Sequence, residues 1–433
     1  MFRIFGPPGT GKTTKLLNLV DKHLEAGVEP TNIAFLAFTR KAAEEARERA
    51  AARFNLDPKQ DLFFFKTLHS LALAMTDIRT DQVMQPEHYR ELGNAIGVNL
   101  GAAADNRFSD IPETQKSSDP ILGLINLAIL RKVPLRTQYN ISQIDESWNV
   151  VKYVDEALTK YKKSYTLYDF TDMLRVFAET GQSCCPRFAV TFLDEAQDLS
   201  PLQWDIAHML DRQSERMYCA GDDDQAIYRW AGADVDQFIG LEGGSETLSQ
   251  SYRVPQLPWE IAQNVARRIH RRFPKTYKPR DERGMVRRIS MVNELDMSEG
   301  SWLILAQAAY LLQDVSSDLK AMGLLFNFRG HRSVSERMSE AINGWEQLRK
   351  DKEISGRAVK SIYSYMSSKD RIKRGFKKLG GLEEDEMFSF DVLVKDYGLL
   401  ATKDMIWHVA MDKMPETDRA YIIAMLRRGE KFN

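Results

Sequence analysis

The sequence has few cysteines and no long apolar run. Cysteine occurs three times among 433 residues, at Cys184, Cys185 and Cys219, which excludes a scaffold held together by disulfides. The longest apolar run, Ile121–Leu130, is ten residues long and contains an asparagine, whereas a membrane-spanning helix needs about 20 residues. Met1–Gly6 has neither the basic nor the apolar segment of a secretory signal. We therefore expect a cytoplasmic protein with no membrane partner.

The chain also lacks a net excess of either charge, because 60 Lys and Arg residues balance 61 Asp and Glu residues. Hydrophobic residues make up 43% and charged residues 28% of the chain, which excludes a disordered protein. The near-neutral total conceals two basic stretches, 253–288 with 11 Lys/Arg against 3 Asp/Glu and 329–380 with 14 against 6. Such stretches suit a polyanionic partner, although for either stretch alone a solvated helix face is the more ordinary explanation.

A glycine-rich loop follows the first apolar segment. Phe2–Phe5 predicts a short strand, Gly6–Thr13 fits G-x-x-x-x-G-K-[ST] in full, and Lys12–Leu24 has apolar residues at helical spacing. In this context backbone N–H groups surround phosphates, the lysine reaches the β- and γ-phosphates, and the threonine hydroxyl binds Mg²⁺. The sequence therefore predicts a nucleotide site formed by Gly9, Gly11, Lys12, Thr13 and Thr14.

An acidic strand end supplies the second half of such a site. Phe188–Leu193 predicts a buried strand that is followed at once by Asp194 and Glu195. Asp194 is suited to hold Mg²⁺, directly or through water, and Glu195 to polarise the attacking water as general base. A solvated acidic turn is the alternative, which the preceding apolar residues disfavour. Together the two segments predict hydrolysis of a nucleoside triphosphate, with Thr13 and Asp194 as the metal ligands.

Strands and helices alternate along the chain, which predicts an α/β fold with parallel sheets. Further predicted strands are Ile33–Phe38, Leu62–Phe65, Met217–Ala220 and, in a second α/β block, Trp302–Ala306. Predicted helices include Lys41–Phe54, Ala309–Met322 and much of the basic stretch Ser335–Lys378.

Several short strings then occur in a fixed order: Gly6–Thr13, Phe38–Ala43, Thr67–Ser70, Asp194–Asp198, Gly221–Ala233 and Ser251–Arg253. They resemble motifs I, Ia, Ib, II, III and IV of superfamily 1 helicases of the UvrD/Rep/PcrA type. The string Gly221–Ala233 is the most specific of them and favours this branch over the RecD/Dda-like branch. Arg40 departs from the pattern, because the family usually has asparagine there.

The resemblance implies RecA-like P-loop motor domains with parallel sheets, each with a mainly helical insertion. It divides the chain into a first motor domain (1–75 and 165–255), a helical accessory insertion (76–164, including the polar stretch Gly101–Asp119), a second motor domain (256–332 and 390–433) and a basic helical insertion (333–389). It further implies ATP and Mg²⁺ as cofactors, and 3′ to 5′ movement on single-stranded DNA with unwinding at single-strand/duplex junctions.

The resemblance also implies roles for individual residues. Gln225 would contact the γ-phosphate and Arg253 would act as an arginine finger, so both are predicted catalytic residues together with Lys12 and Glu195. Tyr252 would stack on adenine. The residues implied to contact single-stranded DNA are Phe38, Thr39, Arg40, His69, Tyr228 and Trp230. Core packing is the alternative for the last two aromatic residues, and a structural role is the alternative for the histidine.

Two departures bear on function. Only Met1–Phe5 precedes the phosphate loop, so we expect no upstream glutamine motif and leave the choice of purine open. Strings like motifs V and VI are missing from Phe388–Asn433. We therefore expect an incomplete second motor domain that a C-terminal partner or a missing segment completes. We also expect a bacterial or phage-encoded protein that acts at the nucleoid. An ATP-regulated single-stranded DNA-binding module without unwinding activity, and a P-loop ATPase acting on protein partners, stay open.

Overall fold

The computed structural model describes residues 1–100, 119–328, 330–377, 379 and 382–432. It divides into two compact units, Met1–Val286 and Arg287–Asn433. Most of the polar stretch Gly101–Asp119, which we assigned to the helical insertion, lies outside the described residues.

The first unit is built on a parallel sheet. Its strands are β1 (Phe2–Phe5), β2 (Ile33–Ala37), β3 (Phe65–Thr67), β4 (Phe188–Leu193), β5 (Ser214–Gly221) and β6 (Ser245–Thr247). They form one six-stranded sheet in the order β3-β2-β4-β5-β1-β6, in which every pairing is parallel. The predicted strand Leu62–Phe65 begins too early, because Leu62 lies in the turn before β3.

Helices connect these strands and extend beyond them. They are α1 (Lys12–Glu25), α2 (Arg40–Phe54), α3 (Leu68–Met75), α4 (Pro86–Ile96), α5 (Pro120–Leu130), α6 (Leu135–Ile141), α7 (Trp148–Tyr165), α8 (Phe170–Cys184), α9 (Pro201–Arg212), α10 (Val235–Gly240) and α11 (Gln256–Ala266). None of the helices in the described ranges of the chain is both long and apolar enough to cross a bilayer.

The central strands β2 and β4 are buried on both faces of the sheet, which explains why they are apolar at nearly every position. In β2, Ile33 and Phe35 pack with apolar residues of α1 and α2 on one face. Ala34 and Leu36 point to the other face and pack with α3, α8 and α9. The helices α4, α5 and α7 share a separate apolar cluster of their own. The sheet is thus fixed from both sides, and its carboxyl edge carries the loops described below.

The first unit continues past residue 255, where we expected the second motor domain to start. The Phe273 ring stacks on the Phe5 ring of β1 with a centroid distance of 3.8 Å. The Ser251 N–H donates to the Lys278 carbonyl oxygen, and the Lys278 N–H donates to the Ser249 carbonyl oxygen, each at 2.8 Å. These contacts attach residues 256–286 to the parallel sheet, so the compact unit ends at Val286.

The second unit is mainly helical. It contains α12 (Leu311–Ala321), α13 (Glu336–Leu348), α14 (Gly356–Ser364), α15 (Phe390–Asp396), α16 (Trp407–Ala410) and α17 (Glu416–Arg427), with the short strands β7 (Asn327–Phe328), β8 (His331–Arg332), β9 (Ile354–Ser355) and β10 (Met387–Phe388). Its core surrounds the buried side chains of Trp345 and Tyr363. The basic stretch is helical only in part, because irregular backbone follows α14.

The predicted strand Trp302–Ala306 is wrong. These residues make no strand pairing, and the side chains of Leu303 and Leu305 are 81% and 80% exposed. An apolar segment becomes a strand only where another strand pairs with it. Within the described part of 287–433 the sheets are the antiparallel pairs β7–β8 and β9–β10, so the second parallel sheet that the resemblance implies is not found there.

Candidate active site

The loop between β1 and α1 has a backbone that requires glycine. Gly9 and Gly11 have φ angles of 71° and 81°, in the left-handed region that other residues seldom adopt. A Cβ atom on Gly9 would lie 2.3 Å from the Cβ atom of Arg253. Because α1 begins at Lys12, its first N–H groups have no intrahelical partner and can bind anionic oxygens. Thr14 lies exposed in the first turn of this helix.

The two halves of the predicted phosphate site meet at this loop. The Thr13 hydroxyl donates a hydrogen bond of 2.8 Å to the Asp194 carboxylate. The Lys12 ammonium donates to the Gly6 carbonyl oxygen at 3.0 Å and lies 3.9 Å from the Glu195 carboxylate. Residues 181 positions apart in the sequence therefore form one cluster, because β1 and β4 end at the same edge of the sheet.

Asp194 is a buried carboxylate in an environment that favours its neutral form. Burial raises its pKa to about 6, and the charge of Glu195 adds to the rise, while the Thr13 hydrogen bond and the Lys12 charge oppose it. A divalent cation beside this carboxylate would favour the ionised form. Hydroxyl and carboxylate oxygens are the hard ligands that Mg²⁺ prefers, so Thr13 and Asp194 fit the predicted metal.

Glu195 has an unusual backbone conformation, with φ 54°. A non-glycine residue in this region is strained, and such strain is held where the surrounding structure fixes it. The Glu195 carboxylate accepts a hydrogen bond of 2.9 Å from the Gln197 amide and is partly exposed. It is thus both oriented and accessible to water, as a general base must be.

Gln197 links this carboxylate to the end of β5, a role that sequence reasoning missed. Its amide nitrogen also donates to Asp198 at 3.1 Å, and its amide oxygen accepts from the Asp222 N–H at 3.0 Å. The Asp222 carboxylate in turn accepts a hydrogen bond of 2.5 Å from the Gln225 amide. Gln197 and Asp222 both lie inside the motif strings, but the hydrogen bond between them joins the ends of two strands and carries no local sequence signal.

The segment Ser251–Arg253 lies against the phosphate loop. The Ser251 hydroxyl donates to the Pro8 carbonyl oxygen at 2.7 Å, and the Tyr252 N–H donates to the Gly9 carbonyl oxygen at 2.9 Å. The Tyr252 side chain is 75% exposed, and Arg253 is exposed beside it. The structure therefore brings the predicted adenine-stacking residue and the predicted arginine finger to the loop.

Aromatic side chains collect at the same edge of the sheet. Phe38 follows β2, and its ring centroid lies 5.5 Å from that of Tyr228. The Tyr228 ring lies 6.5 Å from the Trp230 ring, and the Trp230 side chain is 63% exposed. The Thr39 hydroxyl caps α2 by accepting from the Ala42 N–H at 3.2 Å. The arrangement presents an aromatic surface that bases can stack on.

His69 differs from the other predicted DNA-contacting residues. Its Nε2 atom is buried and has no hydrogen-bond partner in the part of the chain that the structure describes. Burial lowers the pKa of His69 to about 4, and the Arg40 charge lowers it further, so the ring is neutral at pH 7. Its contact with DNA stays a prediction.

Comparison with known proteins decides the family. Residues 2–243 match the family model of the UvrD/REP helicase N-terminal domain. The chain belongs to the UvrD/REP helicase family. The resemblance drawn from the motif strings is therefore confirmed, and the parallel sheet of the first unit is consistent with a RecA-like helicase domain.

Relatives in the UvrD/REP family extend the match beyond residue 243. The chain is 24% identical over 383 residues to the ATP-dependent DNA helicase PcrA of Leuconostoc citreum, covering 84% of this chain and 50% of the relative. It is 26% identical over 301 residues to PcrA of Bacillus subtilis (64% and 39%). It is also 26% identical over 253 residues to the ATP-dependent DNA helicase Rep of Buchnera aphidicola (55% and 38%). The chain thus spans half or less of the length of these relatives.

Proposed function

We propose that this UvrD/REP family chain hydrolyses ATP and couples hydrolysis to movement along single-stranded DNA. One observation carries the proposal: the contact between Thr13 and Asp194 continues, through Glu195, Gln197 and Asp222, into the loop that bears Tyr228 and the exposed Trp230. The names of the relatives, which are ATP-dependent DNA helicases, support the same activity.

In the proposed reaction the chain's own groups bind phosphate and move one proton. The backbone N–H groups at the start of α1 and the Lys12 ammonium bind the β- and γ-phosphates. Glu195 accepts the proton of the attacking water, and Arg253 stabilises negative charge on the transferring phosphoryl group. Mg²⁺, held by Thr13 and Asp194, would neutralise charge on the phosphate oxygens.

Gln225 is the proposed sensor of the nucleotide. Its amide is hydrogen-bonded to Asp222, three residues before it, and the loop continues directly to Tyr228 and Trp230. A contact between Gln225 and the γ-phosphate would compete with this hydrogen bond and shift the loop. The aromatic residues would then change their hold on DNA bases, where stacking contributes about 1–3 kcal/mol per base.

Turnover of ATP by the full chain, with and without oligo(dT), tests the proposal. We expect oligo(dT) to accelerate phosphate release. Lys12→Ala should abolish release in both conditions, because it removes the charge that binds the β- and γ-phosphates. Lys15→Ala, one helical turn away and paired with Glu246, serves as the control that retains turnover. Turnover that survives Lys12→Ala would exclude this site as the centre of hydrolysis.

A second candidate function is an ATP-regulated DNA-binding module without unwinding activity. It is favoured by the second unit, whose described residues form no parallel sheet. Strand displacement on duplexes with a 3′ or a 5′ single-stranded tail separates the two candidates. Displacement from the 3′-tailed duplex supports a 3′ to 5′ motor, whereas DNA binding and hydrolysis without displacement support the module.

A further inference from the structure

Three consecutive carboxylates, Asp222, Asp223 and Asp224, follow β5, and one ammonium group contacts all of them. The Lys275 Nζ atom lies 3.0 Å from Asp222, 2.5 Å from Asp223 and 2.9 Å from Asp224, and the Lys275 side chain is 1% exposed. Burial lowers the pKa of Lys275, but the three carboxylates outweigh it and raise the pKa above its usual value. The lysine is therefore charged at neutral pH.

Two residues that precede Lys275 also form hydrogen bonds to these carboxylates. Arg272 makes two hydrogen bonds to Asp224, at 2.9 and 2.6 Å, and the Phe273 N–H donates to Asp223 at 2.7 Å. The Phe273 ring is held by its stack on Phe5. These hydrogen bonds and the ring stack fix the segment 272–275 against the start of the loop that follows β5.

The contact between Lys275 and Asp222 bears on function because Asp222 also forms hydrogen bonds to Gln225 and Gln197. The Asp222 carboxylate accepts the Gln225 amide at 2.5 Å, and the Asp222 N–H donates to Gln197 at 3.0 Å. Without the lysine, three adjacent carboxylates would repel one another in a buried site, and at least one would turn toward water or take up a proton. Either change would release Gln225 and the residues up to Trp230.

We propose that Lys275 is a positioning residue that fixes the loop 222–230, so that nucleotide contacts at Gln225 are transmitted to the DNA contacts at Tyr228 and Trp230. The inference rests on the proposed function for its consequence in turnover. The fixing of the loop itself can be measured without nucleotide or DNA. A purely structural ion cluster would stabilise the fold without controlling this one loop.

The experiment compares the full chain carrying Lys275→Met, Lys275→Arg or Lys162→Met. Lys162 is the matched control, because it is also a buried lysine between two carboxylates, Asp169 and Asp172, but it is not in contact with the loop. Hydrogen exchange is followed over peptides 222–230 and 6–14, and ATP turnover is measured with and without oligo(dT).

For Lys275→Met we expect exchange over 222–230 to accelerate at least about tenfold while exchange over 6–14 is unchanged. The KM for ATP should change less than about threefold, and the DNA-stimulated kcat should fall about tenfold or more. Lys275→Arg should restore both measurements to within about threefold of wild type, because a cation is retained. Lys162→Met should leave both measurements at wild-type values.

Unchanged exchange over 222–230 in Lys275→Met, or the same acceleration in Lys162→Met, would overturn the inference. If Lys275→Met does not fold, Lys275→Met/Asp223→Asn is measured by the same criteria, because it buries one charge fewer and leaves Asp224 paired with Arg272. A wild-type chain without DNA-stimulated turnover would contradict the proposed function alone, since the exchange comparison would still decide whether Lys275 fixes the loop.

Discussion

At the scale of single residues, the carboxylates near the phosphate loop are coupled through burial and charge. Asp198 accepts a hydrogen bond from Gln197 on one oxygen, while its other oxygen is buried with no partner among the described residues. Burial raises the pKa of Asp198 to about 7, and the Glu195 charge adds to the rise, while Gln197 and Lys12 oppose it. The folded chain thus holds a proton here that the unfolded chain loses near pH 4.

This proton gives a testable pH dependence of stability. Because the folded state binds it more tightly than the unfolded state, its contribution to the free energy of unfolding is complete below pH 4 and is lost as the pH rises to about 7. Asp198→Asn should remove this pH dependence, because an amide does not ionise. The variant should therefore be about 1–3 kcal/mol more stable than wild type at pH 8 but not at pH 4.5. Urea unfolding at both pH values measures the difference. Equal differences at the two pH values would show that Asp198 does not hold this proton in the folded state.

At the scale of elements, much of the first unit could be predicted because its central strands β2 and β4 are buried on both faces. Such strands are mainly apolar, and β1 and β4 occur at their predicted residues, immediately before Gly6 and Asp194. The meeting of the phosphate loop with Asp194 and Glu195 could be predicted from the same pattern, since the carboxyl ends of parallel strands share one edge of the sheet.

What could not be predicted depends on contacts between distant segments. Trp302–Ala306 has an apolar strand-like sequence, but no sequence signal shows whether another strand pairs with it. Lys275 and Arg272 counted only as members of a basic stretch, whereas the structure turns them inward onto the carboxylates after β5. A charge count does not distinguish a solvated cation from one that is buried in an ion pair.

The contact between the phosphate loop and Ser251–Arg253 gives a prediction at this scale. Gly9→Ala would add a Cβ atom 2.3 Å from that of Arg253 and would strain a left-handed backbone. We expect ATP affinity to fall at least about tenfold, because the loop must shift away from its phosphate-binding form. Titration with a fluorescent ATP analogue measures the change.

Gly27→Ala is the matched control for that variant. Gly27 also has a positive φ, but nothing lies within 4 Å of an added Cβ atom there. The control should lose about 1 kcal/mol of stability and retain its ATP affinity. If the two variants bind ATP equally well, the close approach of Arg253 has no role in nucleotide binding.

At the scale of the whole molecule, each compact unit has its own core. Trp204 is fully buried in the first unit and Trp345 in the second. We expect calorimetry to resolve two unfolding transitions. Trp345→Ala should lower the stability of one transition by about 3–5 kcal/mol, because it opens a large cavity. Trp204→Ala should lower the stability of the other transition, that of the first unit, for the same reason. A single transition that both variants shift equally would show that the cores unfold as one.

We propose that ATP hydrolysis in the first unit is coupled to DNA through the loop 222–230. The measurement that tests it most directly is ATP turnover against oligo(dT) concentration for wild type, Trp230→Ala and the control Trp302→Ala, which removes a half-exposed tryptophan of the second unit. We predict that Trp230→Ala keeps turnover without DNA and needs roughly five- to 150-fold more oligo(dT) for stimulation, as the loss of one stacking contact implies. The control should match wild type. Stimulation of Trp230→Ala at wild-type oligo(dT) concentrations would contradict the claim.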